Sequence, residues 1–111
     1  MSQLKVLNDS NFDSAVAGKS QPVMVDFYAD WCAPCQILSP TVEKIAEEYQ
    51  GKAEVAKFNV DESSGVPMRF GIQGIPTVLF FKEGKLVDRV VGLVPRQELT
   101  GRLDSLLGTG N

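Results

Sequence analysis

The chain has two cysteines, Cys32 and Cys35, and they stand three residues apart where an apolar run gives way to a helical pattern. Residues at that spacing lie about one turn apart on the same face of a helix. The gap is slightly wide for a disulfide between two interior helix positions. It suits a first cysteine at or just outside the helix N-terminus, where the backbone is free to adjust. Unpaired N–H groups and the positive end of the helix dipole favour a thiolate there. Cys32 is therefore the expected nucleophile. Cys35, a turn inside and expected to be the more buried, is the expected resolving thiol. So small a ring should open and close by exchange rather than act as a permanent staple. Two buried core cysteines, or half of a zinc site, are the competing readings of the pair alone. The strand-to-helix context and the lack of a second CxxC favour redox chemistry.

The absence of histidine removes Ser-His-Asp, Cys-His and His-ligated metal sites. A structural zinc site wants about four Cys or His ligands, so no metal is expected within one chain. A cluster shared between two chains would be the exception. No cofactor is expected beyond the reversible Cys32–Cys35 disulfide. The net charge is −3, which argues against a nucleic-acid partner. No apolar run reaches the roughly 18–20 residues of a membrane span, so no membrane partner is expected. The first residues lack the apolar core of a signal peptide, which gives a cytoplasmic expectation. With 43% hydrophobic and 23% charged residues, the composition is that of an ordinary globular domain. Its length predicts one domain over 1–111, with 108–111 as a flexible tail.

The elements that must hold the cysteines follow from the apolar patterning. Leu4–Leu7 is a short opening strand, and Asn8 or Ser10 can cap a helix carrying Phe12, Ala15 and Val16. Val23–Ala29 is apolar on both alternating faces apart from Asp26, as in a strand buried within a parallel sheet. A long helix follows the cysteines to about Gln50, with Leu38, Val42, Ile45, Ala46 and Tyr49 on one stripe and Pro40 expected to kink it. Ala53–Val60 is a third strand, with Lys57 inside it. A turn over 61–64 leads to a short helix ending near Phe70. Pro76–Phe81 and Leu86–Val91 form a hairpin through Lys82-Glu83-Gly84-Lys85. A last helix starts near Pro95 with Leu99, Leu103, Leu106 and Leu107 on one face. The order β-α-β-α-β-α-β-β-α predicts an α/β fold, a mixed sheet with helices on both faces.

Three further positions carry chemistry. Charged side chains are rarely buried unpaired, so Asp26 and Lys57 predict neighbouring strands and an ion pair between them. A buried carboxyl has a raised pKa. Asp26 ends its strand close to the helix start, which makes it the candidate base for deprotonating Cys35. A purely structural ion pair is the alternative. Pro76 lacks a ladder donor and suits the first residue of a strand. Trp31, beside the nucleophile, is either packing or a flat apolar shoulder for a protein substrate.

On these residues the sequence resembles the thioredoxin family, from about Leu4 to Leu107. The resemblance rests on Val25-Asp26-Phe27-Tyr28-Ala29, Trp31-Cys32-Ala33-Pro34-Cys35, Pro40, Tyr49, Lys57 and Asn59-Val60-Asp61. It continues through Gly71-Ile72, Gly74-Ile75-Pro76-Thr77, Phe81-Lys82-Glu83-Gly84 and Val91-Gly92. It implies a thioredoxin fold with five strands in the order 1-3-2-4-5 and four helices. It implies a monomeric cytosolic protein-disulfide reductase, recharged by a thioredoxin reductase. Cys32 would attack, Cys35 resolve, Asp26 move a proton with Lys57 beside it, and Pro76 be cis. Trp31, Gly74, Ile75, Pro76 and Gly92 would line the docking surface, with the Ile75 backbone pairing with an extended substrate segment. Ala33, Pro34 and Leu93 complete the expected binding set. Typical family substrates are ribonucleotide reductase, methionine sulfoxide reductase and peroxiredoxins.

The sequence departs from the family pattern at three of these positions. Ala33 stands where the family usually has glycine, Tyr28 where it usually has a second tryptophan, and Leu93 where it usually has a small residue. A disulfide isomerase or oxidant usually carries a histidine between its cysteines, and this chain has Ala33-Pro34. A thioredoxin-fold adaptor would leave the Asp26, Lys57 and Pro76 set without a purpose.

Overall fold

Strands that are apolar on both alternating faces need cover on both sides. Val23–Tyr28 (β2) and Thr77–Lys82 (β4) are such strands, each buried at every position but the last. In the computed structural model, which describes residues 4–108, they lie at the centre of a five-stranded sheet. Lys5–Leu7 (β1), Glu54–Asn59 (β3) and Lys85–Val91 (β5) complete it in the order β1-β3-β2-β4-β5. β1, β3 and β2 run parallel, while β4 and β5 are antiparallel to their neighbours. The expected α/β class and strand order both hold. The tail expected over 108–111 lies, apart from Gly108, outside the described residues.

Four helices cover the sheet: Phe12–Val16 (α1), Ala33–Glu48 (α2), Gly65–Arg69 (α3) and Arg96–Leu106 (α4). Leu38, Val42 and Ile45 of α2 pack with Leu99 and Leu103 of α4 against Met24, Val55, Val78 and Phe80. On the other face, Phe12 and Val16 of α1 and Val66 of α3 pack against Val25, Phe27, Phe58 and Leu79. Alternate residues of the same strands thus feed two separate cores, as the period of two requires.

Boundaries differ from the patterning by one or two residues. α2 stops at Glu48 rather than near Gln50, with the Tyr49 N–H closing back on the Ile45 carbonyl at 2.9 Å. β4 begins at Thr77, leaving Pro76 just outside it. Before α1, Asn8 organises the turn. Its Oδ1 accepts from the backbone N–H of Ser10 at 2.9 Å and of Asn11 at 3.1 Å. Asn11 itself occupies the cap position without a side-chain cap bond. The β4–β5 hairpin turns on Glu83 (φ 53°) and Gly84 (φ 83°). Two successive left-handed residues match the twist of the flanking strands, and glycine takes the second without steric cost.

Candidate active site

β2 delivers the cysteines. It ends at Tyr28, and Ala29-Asp30-Trp31 turn the chain into α2. Cys32 is the N-cap, with extended backbone (φ −89°, ψ 109°), and its sulfur accepts the Cys35 N–H at 3.2 Å. Pro34 sits in the first turn of the helix, where its missing N–H costs nothing. Cys32 and Cys35 are joined in a disulfide, with their Cα atoms 5.2 Å apart. The N-terminal placement that the spacing required is therefore present.

The expected order of burial is present, though the difference is small. Cys32 is 4% exposed and Cys35 2%. In the disulfide form both pack with Ala29 against Tyr28, Val60 and Ile75.

Across from the disulfide, the Ile75–Pro76 peptide bond is cis. The Ile75 carbonyl oxygen stands 3.8 Å from Cys32 Sγ. Gly92, in left-handed backbone (φ 97°), donates its N–H to the Pro76 carbonyl at 2.8 Å and ties the end of β5 to this loop. Leu93 follows, 47% exposed. Gly74, Ala33 and Pro34 are exposed, Ile75 and Gly92 half-buried, and Pro76 buried. Trp31 is not packing: it is 71% exposed, and its Nε1 donates to Asp61 Oδ2 at 2.8 Å.

Behind the disulfide, Asp26 and Lys57 stand opposite each other in the β2–β3 register. The strands are neighbours, as expected, but the expected ion pair is not closed. Asp26 Oδ1 has no hydrogen-bond partner among the described residues. The Lys57 ammonium lies 5.6 Å over the centroid of the Tyr28 ring. Lys57 is half-buried rather than buried, so its long side chain reaches out along the strand instead of turning onto the acid. Burial raises the Asp26 pKa to about 7, with the Lys57 charge pulling weakly the other way. A cavity of about 180 Å³ joins these groups to the helix, lined by Asp26, Tyr28, Cys35, Gln36, Ser39 and Lys57 among others. A broader groove of about 700 Å³ runs along α4 past Asp88, Glu98 and Arg102. Ion pairs rather than reactive groups wall it.

Asp61 and Asn59 are contributors that patterning gave no role. Asn59 Oδ1 accepts the Asp61 N–H at 2.9 Å, and Asp61 in turn holds the Trp31 indole. The signal was available: Asn59 pairs with Tyr28 in a parallel register, so residues just beyond β3 must meet residues just beyond β2.

A dithiol at this position can exchange two electrons with an external disulfide, and a carboxyl that titrates near neutrality can take up the proton involved as carboxylate and release it as acid. Comparison with known proteins agrees. The thioredoxin family model matches residues 3–105. A thioredoxin of Acidithiobacillus ferridurans is 46% identical over 91% of this chain and 94% of its own length. Thioredoxin 1 of a Nostoc species is 44% identical over 96% of this chain and 100% of its own. The chloroplastic M-type thioredoxin of Pisum sativum is 42% identical over 96% of this chain, which spans 62% of that longer protein. Similarity along nearly the whole chain, and not at the cysteines alone, makes this protein a member of the thioredoxin family, whose thiol–disulfide oxidoreductase chemistry its Cys32–Cys35 pair carries.

Proposed function

We propose that the protein is a protein-disulfide reductase, and that the observation carrying this is the Cys32–Cys35 disulfide at the N-terminus of α2, facing the Ile75 carbonyl. In the reduced protein the Cys32 thiolate attacks one sulfur of a substrate disulfide. A mixed disulfide forms, and the first substrate thiolate leaves. Cys35 gives its proton to the Asp26 carboxylate and attacks Cys32 Sγ, which releases the second substrate thiolate and restores the Cys32–Cys35 disulfide. The substrate gains two electrons and the protein loses two. A thioredoxin reductase returns them.

Trp31, Ala33, Pro34, Gly74, Ile75, Pro76, Gly92 and Leu93 form the docking surface, on which an extended substrate segment pairs with the Ile75 backbone. We extend the proposal to ribonucleotide reductase, methionine sulfoxide reductase and peroxiredoxins as substrate types. We read the compartment as the cytoplasm, where dithiols are kept reduced, and the working form as a monomer. Insulin reduction driven by a dithiol donor tests the core reaction, and replacing the donor with a thioredoxin reductase tests the recharging step. Full insulin turnover with the dithiol but none with the thioredoxin reductase would refute the recharging step while leaving the protein-disulfide reductase activity standing.

A further inference from the structure

We propose that Tyr28 is a positioning residue: its ring holds the Lys57 ammonium off the Asp26 carboxyl, keeping that acid unpaired in the cavity that reaches Cys35. Three observations meet here. Asp26 and Lys57 are register partners on adjacent strands and on the same face, the arrangement in which opposite charges normally close. Asp26 Oδ1 nevertheless has no partner among the described residues. The ammonium instead lies 5.6 Å over the Tyr28 centroid, inside the roughly 6 Å range of a cation–π contact.

Tyr28 is well placed to do this. It is two residues beyond Asp26 on the same strand, so its side chain projects from the same face toward the mouth of the cavity. Asn59, its register partner on β3, lies beside it. In the oxidised protein Cys35 is held in the disulfide, so the other charged group lining the cavity is Asp30 from the turn, with Glu62 acting on the Tyr28 hydroxyl. β4 places only Val78 opposite Asp26. Lys57 is therefore the cation whose position decides how easily Asp26 ionises. A closed pair would stabilise the carboxylate and take the acid out of the neutral range. Any consequence for turnover rests on the proton-transfer role proposed above for Asp26, whereas its ionisation can be measured without turnover.

The test is the Asp26 titration midpoint, read from the carboxyl carbon by NMR in the oxidised protein. Tyr28→Leu keeps an apolar wall but removes the ring. It should lower the midpoint by about half a pH unit, the size a cation–π contact near the surface supports. Tyr28→Phe, which keeps the ring, should stay near wild type. In a Lys57→Met background the midpoint should rise, and Tyr28→Leu should then move it no further, since the coupling runs through the ammonium. A shift that persists without Lys57, no shift with it, or a Phe variant that behaves like Leu would each overturn the proposal. Loss of insulin turnover in Asp26→Asn tests the proton-transfer role separately, so failure of one does not pass for failure of the other.

Discussion

At consecutive positions β2 and β3 serve opposite purposes. Phe27 and Phe58 are register partners that stack at 5.1 Å on the face toward α1 and α3. Asp26 and Lys57, one residue earlier on each strand, face α2. The aromatic face is closed: Phe12 meets Phe58, Phe70 and Phe81 at centroid distances of 5.5–6.2 Å. The opposite face keeps a buried carboxyl oxygen without a partner among the described residues, and a cavity beside it. The alternation of a strand thus lets the same backbone bury a stabilising cluster on one side and a destabilising acid on the other. Stability and chemistry should therefore respond separately to substitutions one residue apart.

The largest expected effects fall on the cysteines. Cys32→Ser should abolish insulin reduction, because it removes the attacking thiolate and leaves Cys35 without a partner to close the disulfide. Cys35→Ser should keep the attack and lose resolution, so it should accumulate a mixed disulfide through Cys32. Mass spectrometry of the trapped adduct checks this. Faster alkylation of Cys35 than of Cys32 in the reduced protein would reverse the two roles.

On the aromatic face the effect should be on stability instead. Phe27 is fully buried, and truncation to alanine should cost about 3–5 kcal/mol in urea unfolding. Turnover per folded molecule should be unchanged. A loss of turnover that exceeds the loss of folded protein would show that the two faces are not independent.

One residue earlier, Asp26→Asn should do the reverse. Its pKa is raised from 3.8 to about 7 in the folded protein, so between those values the folded state holds a proton the unfolded state has released. Stability then falls as pH rises through that window and levels off above it. Three units correspond to about 4 kcal/mol. Asn cannot ionise, so the variant should lack this decline and should gain on wild type as pH rises from 4 to 8, while its mixed disulfide resolves more slowly near neutrality. Parallel stability curves for the two proteins would leave Asp26 without a raised pKa.

This pair also marks where sequence reasoning stopped. That Asp26 and Lys57 lie on neighbouring strands was legible, because a charge inside an apolar strand needs an explanation that only a facing strand supplies. Which way the Lys57 side chain turns was not legible: it depends on the Tyr28 ring and on partial exposure, both consequences of three-dimensional packing. The near-equal burial of Cys32 and Cys35 in the disulfide was not legible for a similar reason. The helix N-terminus favours an accessible thiol, whereas the observed state is the closed ring, packed against Ile75 from a loop 43 residues away. Pro34 and the Glu83-Gly84 turn, by contrast, act through their own backbone preferences and could be read locally.

The smallest expected effect separates the docking rim from the ring it surrounds. Ala33 is the first residue of α2 and exposed, and it lies inside the loop that closes when Cys32 and Cys35 bond. In the dithiol form, glycine at 33 would sample more backbone states than alanine. In the disulfide form the ring constrains both residues alike. Ala33→Gly should therefore favour the dithiol and make the couple slightly more oxidising, by about two-fold in the equilibrium constant, within what a Gly/Ala entropy difference supplies. The fold should be unaffected, since α2 is anchored by Leu38, Val42 and Ile45 well beyond its first turn. Equilibrating both proteins against a dithiothreitol or glutathione buffer measures the change directly. Equal constants together with altered turnover by the reductase would assign Ala33 to the docking surface alone, through the methyl group it adds there, and remove it from the energetics of the ring.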